Sequence, residues 1–507
     1  MKASEESRND FANDDVVASG GNPAPLRLLT KVVQGFVSLQ GSPPELYWAY
    51  VLKFLDSYSY FSFSIILTLF LSDDFGFSDV EAGTVYGAWG AFITIYGLLT
   101  GMVVDNLGVA KSLKLGFFIS LLARIGIFIT TSRKILLFHI FFTLPIGNCL
   151  GIPVLTTGIR RYTNESSRGF AFGLFYVIMN VAALLSGPVV DILTIWYKGE
   201  NSDGADQDVE SNGWSLTSYR AVVLTGMIAN LIACGISLTI REIKLDSENS
   251  NDGSVSDFSP TGGSFFQILR ETVKAPSFWR FLVVCLVTLN VRMIFRHLDA
   301  TLPKYMIREF GEDVPKGTIY SINPALIIIL VPIVTAATTE VPPLNMIHFG
   351  AYISAISVFF LVASTSIGAC IMFVTVLSIG EAIWSPRLYD YTMSVCREGR
   401  EGYVLCQCSM FDLTKLIIVF FGTLQSTYMA LSSAPLFLAK LPVGFLSGYL
   451  LERYCPEEGE RHSQTMWLII GLLTATSPVL LTVLWGYVSK KDEEEDQRYT
   501  ELSAVYA

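Results

Sequence analysis

The chain has 507 residues, of which 51% are hydrophobic and only 16% charged, and its mean hydropathy is +0.48. Soluble domains average about 25% charged residues, so this composition excludes an ordinary soluble protein and predicts a polytopic membrane protein. The net charge of −10 comes mostly from the tails and loops and says little about partners. The eight cysteines lie nearly all within or beside apolar runs, which argues against a disulfide framework and against a CxxC metal site.

Residues 1–45 are polar and acidic and predict a disordered cytosolic tail. Apolar runs long enough to cross a membrane follow, six before and six after a Ser-, Asp- and Gly-rich linker over 241–276. An acidic cytosolic tail over 490–507 ends the chain. The predicted spans lie near 47–72, 84–104, 112–130, 135–158, 169–193, 219–240, 281–307, 317–337, 345–366, 367–392, within 403–452, and 465–488.

This pattern predicts an all-α membrane protein with 12 transmembrane helices in two six-helix bundles, residues 46–240 and 277–489. Paired bundles of this kind are typical of secondary transporters. Lys and Arg near the span ends fall mainly on one side, so we expect both termini in the cytosol, with the exceptions Arg133, Lys134 and the Lys304–Arg308–Lys316 group. The bias does not distinguish the plasma membrane from an endomembrane.

Residues 403–426 do not fit the plan, because 402–453 is too long for one span. The apolar part of this segment would cover about 18 Å as a helix, against a membrane core of about 30 Å, and it contains Lys415. We interpret 403–426 as a lineage-specific insertion or an unspliced segment of the gene model.

A single carboxylate, Glu381, interrupts the apolar run from about Ile367 to Ile383. A charge at the centre of a membrane helix costs about 2.5–3.5 kcal/mol on insertion scales, so it is rarely there without a function. We therefore predict that Glu381 lies at the centre of a binding cavity. The alternative is an acid that only neutralises a buried cation and fixes helix packing.

The connection between the second and third predicted spans carries Gly101, Asp105, Gly108 and Lys111. The glycines allow close helix approach and a tight turn, and the Asp can cap or pair across an interface. This pattern resembles the loop signature of the major facilitator superfamily, although the usual basic residue directly after Gly108 is missing. We assign these residues to a conformational loop motif.

Four runs in different spans narrow the resemblance to the proton-dependent oligopeptide transporter family. They are Lys53-Phe-Leu-Asp56-Ser57, Phe175-Tyr176-Val-Ile-Met-Asn180, Tyr320-Ser-Ile-Asn323-Pro324, and Gly380-Glu381 with Ser385-Pro386. Their order is specific although each run is short, and the resemblance covers about residues 45–490 apart from the insert. It implies transport by alternating access, with protons as a candidate coupling ion.

The chain departs from that family at the positions that carry its chemistry. Lys53, Asp56 and Ser57 stand where the family has ExxER, Ile152 precedes Pro153 where the fourth helix has Lys, and Arg296 follows Phe295 where an acid is frequent. In that family the ExxER acids serve proton coupling, whereas the first-helix Arg and the fourth-helix Lys favour a peptide carboxylate. Neither set is intact, so we do not expect a standard proton-coupled peptide transporter.

Among the charged residues that could face a cavity between the two half-bundles, cations outnumber acids. The cations are Lys53, Arg292, Arg296 and Lys440, and the acids are Asp56, Asp299 and Glu381. Helical spacing allows Lys53 to pair with Asp56 and places Arg292, Arg296 and Asp299 on one face. We expect Arg296 to pair with Glu381 across the bundle, because removal of one partner would leave an uncompensated charge. For Arg292 and Lys440 the alternative is snorkelling outward or capping a helix end.

Five further side chains could supply hydrogen bonds and an aromatic wall: Tyr60, Tyr176, Asn180, Asn323 and Trp384. For each of them, helix packing is an equally good interpretation. Arg124 and His139 are single polar residues within spans, and we assign both to bundle packing.

Together these patterns predict a monomeric secondary transporter for a small polar organic solute, carboxylate-bearing or zwitterionic and amino-acid- or peptide-like. The alternative is a solute sensor or membrane scaffold that has a transporter fold and no transport. We expect membrane lipid and the solute as partners, with protons as a candidate coupling ion, and no nucleic acid. No Walker loop, Rossmann glycine run, HExxH or nucleophile elbow occurs, so we predict no enzyme, cofactor or metal.

Overall fold

The computed structural model describes residues 33–196, 214–242, 276–338, 341–395 and 439–489. The described chain is helical, and we number its main helices α1–α13. They are α1 (Pro44–Asp73), α2 (Asp79–Leu107), α3 (Val109–Ile129), α4 (Arg133–Phe138 and Leu144–Tyr162, joined by a π-helical turn), α5 (Glu165–Asp191), α6 (Ser218–Thr239), α7 (Pro276–Ala300), α8 (Leu302–Phe310), α9 (Lys316–Ala337), α10 (Pro343–Ser357), α11 (Ile367–Val395), α12 (Lys440–Tyr454) and α13 (Ser463–Val483). Short helical turns follow α5, α10 and α13.

The predicted all-α membrane fold is confirmed. Nine helices in the described ranges are long and apolar enough to cross a membrane. The helices α2, α7 and α12 lie where the second, seventh and eleventh spans are predicted, and they are not among these nine. Most of the two predicted tails, most of the linker and all of 403–426 lie outside the described residues.

The seventh predicted span, 281–307, is wrong as one continuous helix, because α7 ends at Ala300 and α8 begins at Leu302. Pro303, in the first turn of α8, lacks a backbone N–H and is accommodated at a helix start but not in a helix interior. Thr301 stabilises the break, since its hydroxyl bonds Ser447 on α12 at 2.8 Å and His297 at 2.6 Å. A break at membrane depth is tolerated where its polar groups have protein partners.

The apolar core consists of three clusters that differ in which half of the molecule they hold together. The largest contains residues from the first half, α1–α6, and from the second half, α7–α13, and it surrounds the end at which α1 finishes and α2 begins. A second cluster lies within the first half and a third within the second half. One end of the molecule, which we call the closed end, is therefore sealed by a shared core, whereas nearer the other end each half has its own core.

Glycines allow the two halves to approach closely at the closed end. A Cβ added at Gly83 on α2 would overlap the backbone of Gly444 on α12, and a Cβ added at Gly187 on α5 would overlap the carbonyl of Gly317 on α9. Without a hydrophobic driving force between helices in lipid, such small-residue contacts provide the packing that holds membrane helices together. Two helix pairs, α2 with α12 and α5 with α9, thus form the inter-half seams.

We expect Gly444→Leu to destabilise the protein, because the new side chain has no space against Gly83 and the backbone of α2. Thermal unfolding of the purified protein should show a clear drop in midpoint. The control is Gly235→Ala on α6, where an added Cβ meets nothing within 4 Å. Loss of a flexible glycine there should stabilise the helix by up to about 1 kcal/mol. Equal midpoints for both variants would contradict the seam.

Candidate functional site

The Asp299 carboxylate, near the end of α7, joins the two halves of the molecule. It is only 2% exposed. Its Oδ2 atom accepts hydrogen bonds from the Ser64 hydroxyl on α1 and the Tyr86 hydroxyl on α2, each at 3.0 Å. The same atom lies 3.4 Å from Arg296 Nη1, three residues earlier on the face of α7 that the two residues share. One acid of the second half therefore holds two helices of the first.

Lys440, at the start of α12, points into the interface between the halves. Its side chain is fully buried, and its Nζ donates to Ser64 Oγ at 3.3 Å. The ammonium also lies 4.9, 4.4 and 4.0 Å from the ring centroids of Tyr60, Tyr86 and Trp89. All three distances fall within the range of cation–π attraction. Snorkelling outward is thereby excluded for Lys440.

Glu381 and Asn323, which sequence reasoning took from two separate motifs, meet in the second half. Asn323 Nδ2 on α9 donates to Glu381 Oε2 at 2.8 Å and to Ser378 Oγ at 3.0 Å. Glu381 lies near the middle of α11, the helix that its apolar run predicts. The amide donor replaces part of the water that the carboxylate gives up on burial.

Arg292, Phe295 and Trp384 form a wall beside this acid. The Arg292 guanidinium lies 5.8 Å from the Trp384 ring centroid, and the rings of Phe295 and Trp384 are 6.0 Å apart. Trp384 follows Glu381 by one helical turn on α11. Arg292 and Arg296 both interact electrostatically with Glu381. A guanidinium, an aromatic face and a carboxylate are thus grouped within the second half.

Two predicted ion pairs are wrong as direct contacts. Arg296 pairs with Asp299, and Glu381 takes its hydrogen bond from Asn323. Asp299 is one turn away from Arg296 on the same helix, so that pair forms without bringing two helices together. Likewise, no ion pair within the described residues joins Lys53 to Asp56. Lys53 instead places its ammonium 4.8 Å from the ring centroid of Phe175 on α5.

Asp56 lies in a second charged cluster, within the first half. It is 4% exposed, and its Oδ2 has no hydrogen-bond partner. Lys53 and Arg124 are the cations that act on it electrostatically. Arg124 on α3 is 3% exposed, and its place beside α1 was missed by assigning it only to packing. The sequence feature that could have indicated this role is a lone arginine inside an apolar span.

The remaining predicted site residues lie apart from these contacts. Asn180 uses its amide within its own helix, donating to the Tyr176 carbonyl at 2.9 Å, as expected for a packing role. Tyr176 is 38% exposed. His139, assigned to packing, bonds the Thr143 hydroxyl at 2.9 Å and covers Gly126.

The loop motif is organised by an acid that sequence reasoning missed. Gly108 has a φ of 82°, which glycine adopts readily, and it precedes α3. Glu242, just after α6, accepts from the N–H groups of Val109 at 3.1 Å and Ala110 at 2.7 Å and so caps α3. Lys111 is exposed, and the side chains at positions 101 and 105 lie outside the described part of the structure.

Charged side chains also join the two halves of the molecule at the closed end. Asp79, the first residue of α2, pairs with Lys304 at 2.7 Å and with Arg308 at 2.8 Å, both on α8. Asp191 at the end of α5 caps α9, accepting from the N–H groups of Gly317 at 2.7 Å and Thr318 at 2.6 Å. Lys304 and Arg308 stood out in the sequence only as exceptions to the charge bias.

The chain matches the family model of the Major Facilitator Superfamily over residues 49–412. It belongs to this superfamily. The chain is therefore an integral multi-pass membrane protein of a transporter family and not an enzyme. Within the superfamily it has a distant similarity to peptide permeases of the proton-dependent oligopeptide transporter family.

Among curated proteins, the dipeptide and tripeptide permease B of Aeromonas hydrophila is 26% identical over 163 residues, which is 31% of this chain and 32% of the permease. The permease of the same name from Salmonella typhimurium is 28% identical over 152 residues, 28% of this chain and 30% of the permease. The match thus spans about a third of the length of these relatives.

Solved structures share the fold at low identity. A POT family transporter in complex with 5-aminolevulinic acid is 14% identical, with a TM-score of 0.64 over 89% of this chain and 98% of the other. A mutant form of the nucleoside transporter NupG is 12% identical, with a TM-score of 0.62 over 88% of this chain and 100% of the other. The fold is therefore shared by transporters whose names indicate different solutes.

We expect Asp79→Asn to destabilise the closed end by about 3–5 kcal/mol, because it leaves Lys304 and Arg308 largely buried without their counter-ion. Thermal or denaturant unfolding of the purified protein measures the loss. Adding Lys304→Met and Arg308→Leu to Asp79→Asn should restore part of it, since apolar groups then replace the pair.

The matched control is Asp313→Asn, an exposed acid at the same end of the molecule. Its effect should stay within about 0.5 kcal/mol. If Asp79→Asn behaves like Asp313→Asn, the ion pairs at the closed end do not stabilise the protein.

Proposed function

We propose that this secondary transporter of the major facilitator superfamily carries a small organic solute with a carboxylate, or with both a carboxylate and an amine. The observation that carries the proposal is the cationic surplus of side chains inside the bundle. The charged side chains of the two clusters described above are five cations, Lys53, Arg124, Arg292, Arg296 and Lys440, and three acids, Asp56, Asp299 and Glu381. An anionic group on the solute would lower the cost of this imbalance, since unpaired charge in a low-dielectric interior is expensive.

Arg292 and Glu381 are the pair of groups best placed to bind such a solute. Arg296 is engaged by Asp299, and Lys440 by Ser64 and three rings, whereas Arg292 has the Trp384 face as its described contact. A guanidinium binds a carboxylate in a two-point contact, and a carboxylate binds an amine. Phe295 and Trp384 supply the apolar wall that such a pocket needs.

The relatives support an amino-acid- or peptide-like solute. The curated permeases are named for dipeptides and tripeptides, and one similar structure holds 5-aminolevulinic acid, whose name specifies an amine and a carboxylic acid. The nucleoside transporter among the structural neighbours is the reason that the fold alone does not select this class. The charge pattern favours the zwitterionic class over an uncharged solute.

The distribution of inter-half contacts supports transport by alternating access. The shared apolar core, the two glycine seams and the Asp79 ion pairs all lie at the closed end. If both termini are cytosolic, as the Lys and Arg bias predicts, the closed end faces away from the cytosol and this state opens inward. Transport then requires the closed end to separate while the opposite end closes.

The decisive experiment is uptake by the full-length protein in proteoliposomes, with a panel of labelled amino acids, dipeptides, nucleosides and organic acids. We expect uptake of at least one zwitterionic or carboxylate-bearing solute, and a loss of at least about tenfold in Arg292→Gln and in Glu381→Gln, equivalent to about 1.4 kcal/mol. The matched controls are Arg453→Gln and Glu452→Gln, both exposed on α12, which should transport normally.

Normal uptake in both site variants would refute the assigned site, and uptake restricted to nucleosides would refute the solute class. Saturable binding of a panel solute to the wild-type protein with no flux would instead favour the sensor or scaffold.

A further inference from the structure

We propose that Lys440 is a tethered cation: it fills an ammonium-binding cage formed mainly by the first half and thereby keeps the closed end shut. The cage consists of the rings of Tyr60, Tyr86 and Trp89 with the hydroxyl of Ser64 and the carboxylate of Asp299. This site is separate from the one proposed for the solute, and the inference does not depend on the solute's identity.

The geometry of the cage is that of an ammonium site. Two rings come from adjacent turns of α2 and one from α1, and their centroids lie 4.0–4.9 Å from Nζ. The rings also brace each other, since Trp89 lies 5.3 Å from Tyr60 and 6.5 Å from Tyr86. The faces of aromatic rings carry negative potential, and surrounding a cation with several of them is how proteins bind ammonium groups away from water.

A carboxylate completes the site through one hydroxyl. Ser64 Oγ accepts from Lys440 and donates to Asp299, at 3.3 and 3.0 Å. The Lys440 ammonium therefore reaches Asp299 through a bridging hydroxyl, and the same carboxylate oxygen also lies 3.4 Å from Arg296 Nη1. With two cations nearby, the negative charge of Asp299 is compensated by the protein itself.

The lysine and its cage lie on opposite halves. Lys440 begins α12, whereas the three rings and Ser64 belong to α1 and α2. Separation of the closed end must therefore pull the ammonium out of its rings. Because a buried ammonium without partners is expensive, the cage favours the closed state for as long as Lys440 occupies it.

Lys53 is another buried lysine, and the described part of the structure places no cage of several aromatic rings around its ammonium. It is 2% exposed and lies 4.8 Å from a single ring centroid, that of Phe175. Lys53 and Phe175 both belong to the first half, on α1 and α5. Lys53 is therefore a matched control for burial and charge that lacks both the cage and the inter-half contact.

The test removes the Lys440 side chain beyond Cβ and supplies a free alkylammonium ion in its place. Lys440→Ala leaves a cavity that propylammonium matches in its carbon chain and charge, while 1-propanol has a similar size and no charge. Thermal unfolding of the full-length protein is measured against each, with sodium chloride fixing the ionic strength. We expect propylammonium to raise the midpoint of Lys440→Ala saturably by several degrees, with no such effect of propanol and no effect on the wild type.

Lys53→Ala should not respond to propylammonium beyond its response to propanol. Three results would overturn the proposal: no rise in Lys440→Ala, an equal rise with propanol, or an equal rise in Lys53→Ala.

Should Lys440→Ala fail to fold, labelling of the native lysines provides the second measurement. An amine-acylating reagent followed by mass spectrometry should modify Lys440 slowly in the wild type, as it does Lys53, and modify the exposed Lys111 quickly. Asp299→Asn should speed labelling of Lys440 several-fold while Lys53 stays protected, which shows that the protein remains folded. Rapid labelling of wild-type Lys440, or unchanged protection in Asp299→Asn, contradicts the tether.

Discussion

The Asp299 carboxylate is the constraint on which the closed state of this protein depends. A charge removed from water inside a membrane protein must find partners, and Asp299 finds them on three helices: Ser64, Tyr86 and Arg296. Two of these helices belong to the opposite half. The break after Ala300 ends α7 directly after this acid and lets α8 deliver Lys304 and Arg308 to Asp79. The buried Asp299 carboxylate and the break between α7 and α8 thus both support contacts at the closed end.

Apolar packing and polar contacts both hold the two halves together at the closed end. The shared core and the glycine seams bring α2 against α12 and α5 against α9, but such packing is similar in strength to packing against lipid. The ion pairs of Asp79, the cap of Asp191 on α9 and the cage around Lys440 give the closed end a defined geometry. These contacts lie between the halves and are separate from the two apolar clusters that each lie within one half.

The chain combines the fold of the superfamily with an altered set of charges. The resemblance places Lys53 and Arg296 where the oligopeptide transporter family has acids, and the chain also carries the buried cations Arg124 and Lys440. Within the described spans most of these cations have protein partners, either acids or aromatic rings. Arg292 beside Trp384 and Glu381 beside Asn323 remain the groups best suited to a solute.

The sequence by itself determined most of the helices, the family resemblance and the position of Glu381 within its helix, because apolar runs and charges within them are read directly along the chain. It also identified Asn323, Arg292 and Lys440 as candidates. Only the tertiary structure decided their partners: Arg296 pairs with Asp299 and not with Glu381, and Lys440 enters rings that lie more than 350 positions away. Asp79, Arg124 and Glu242 gained roles in the same way. The reason is physical: membrane insertion depends on composition within one segment, whereas charge pairing depends on which helices the folded bundle places side by side.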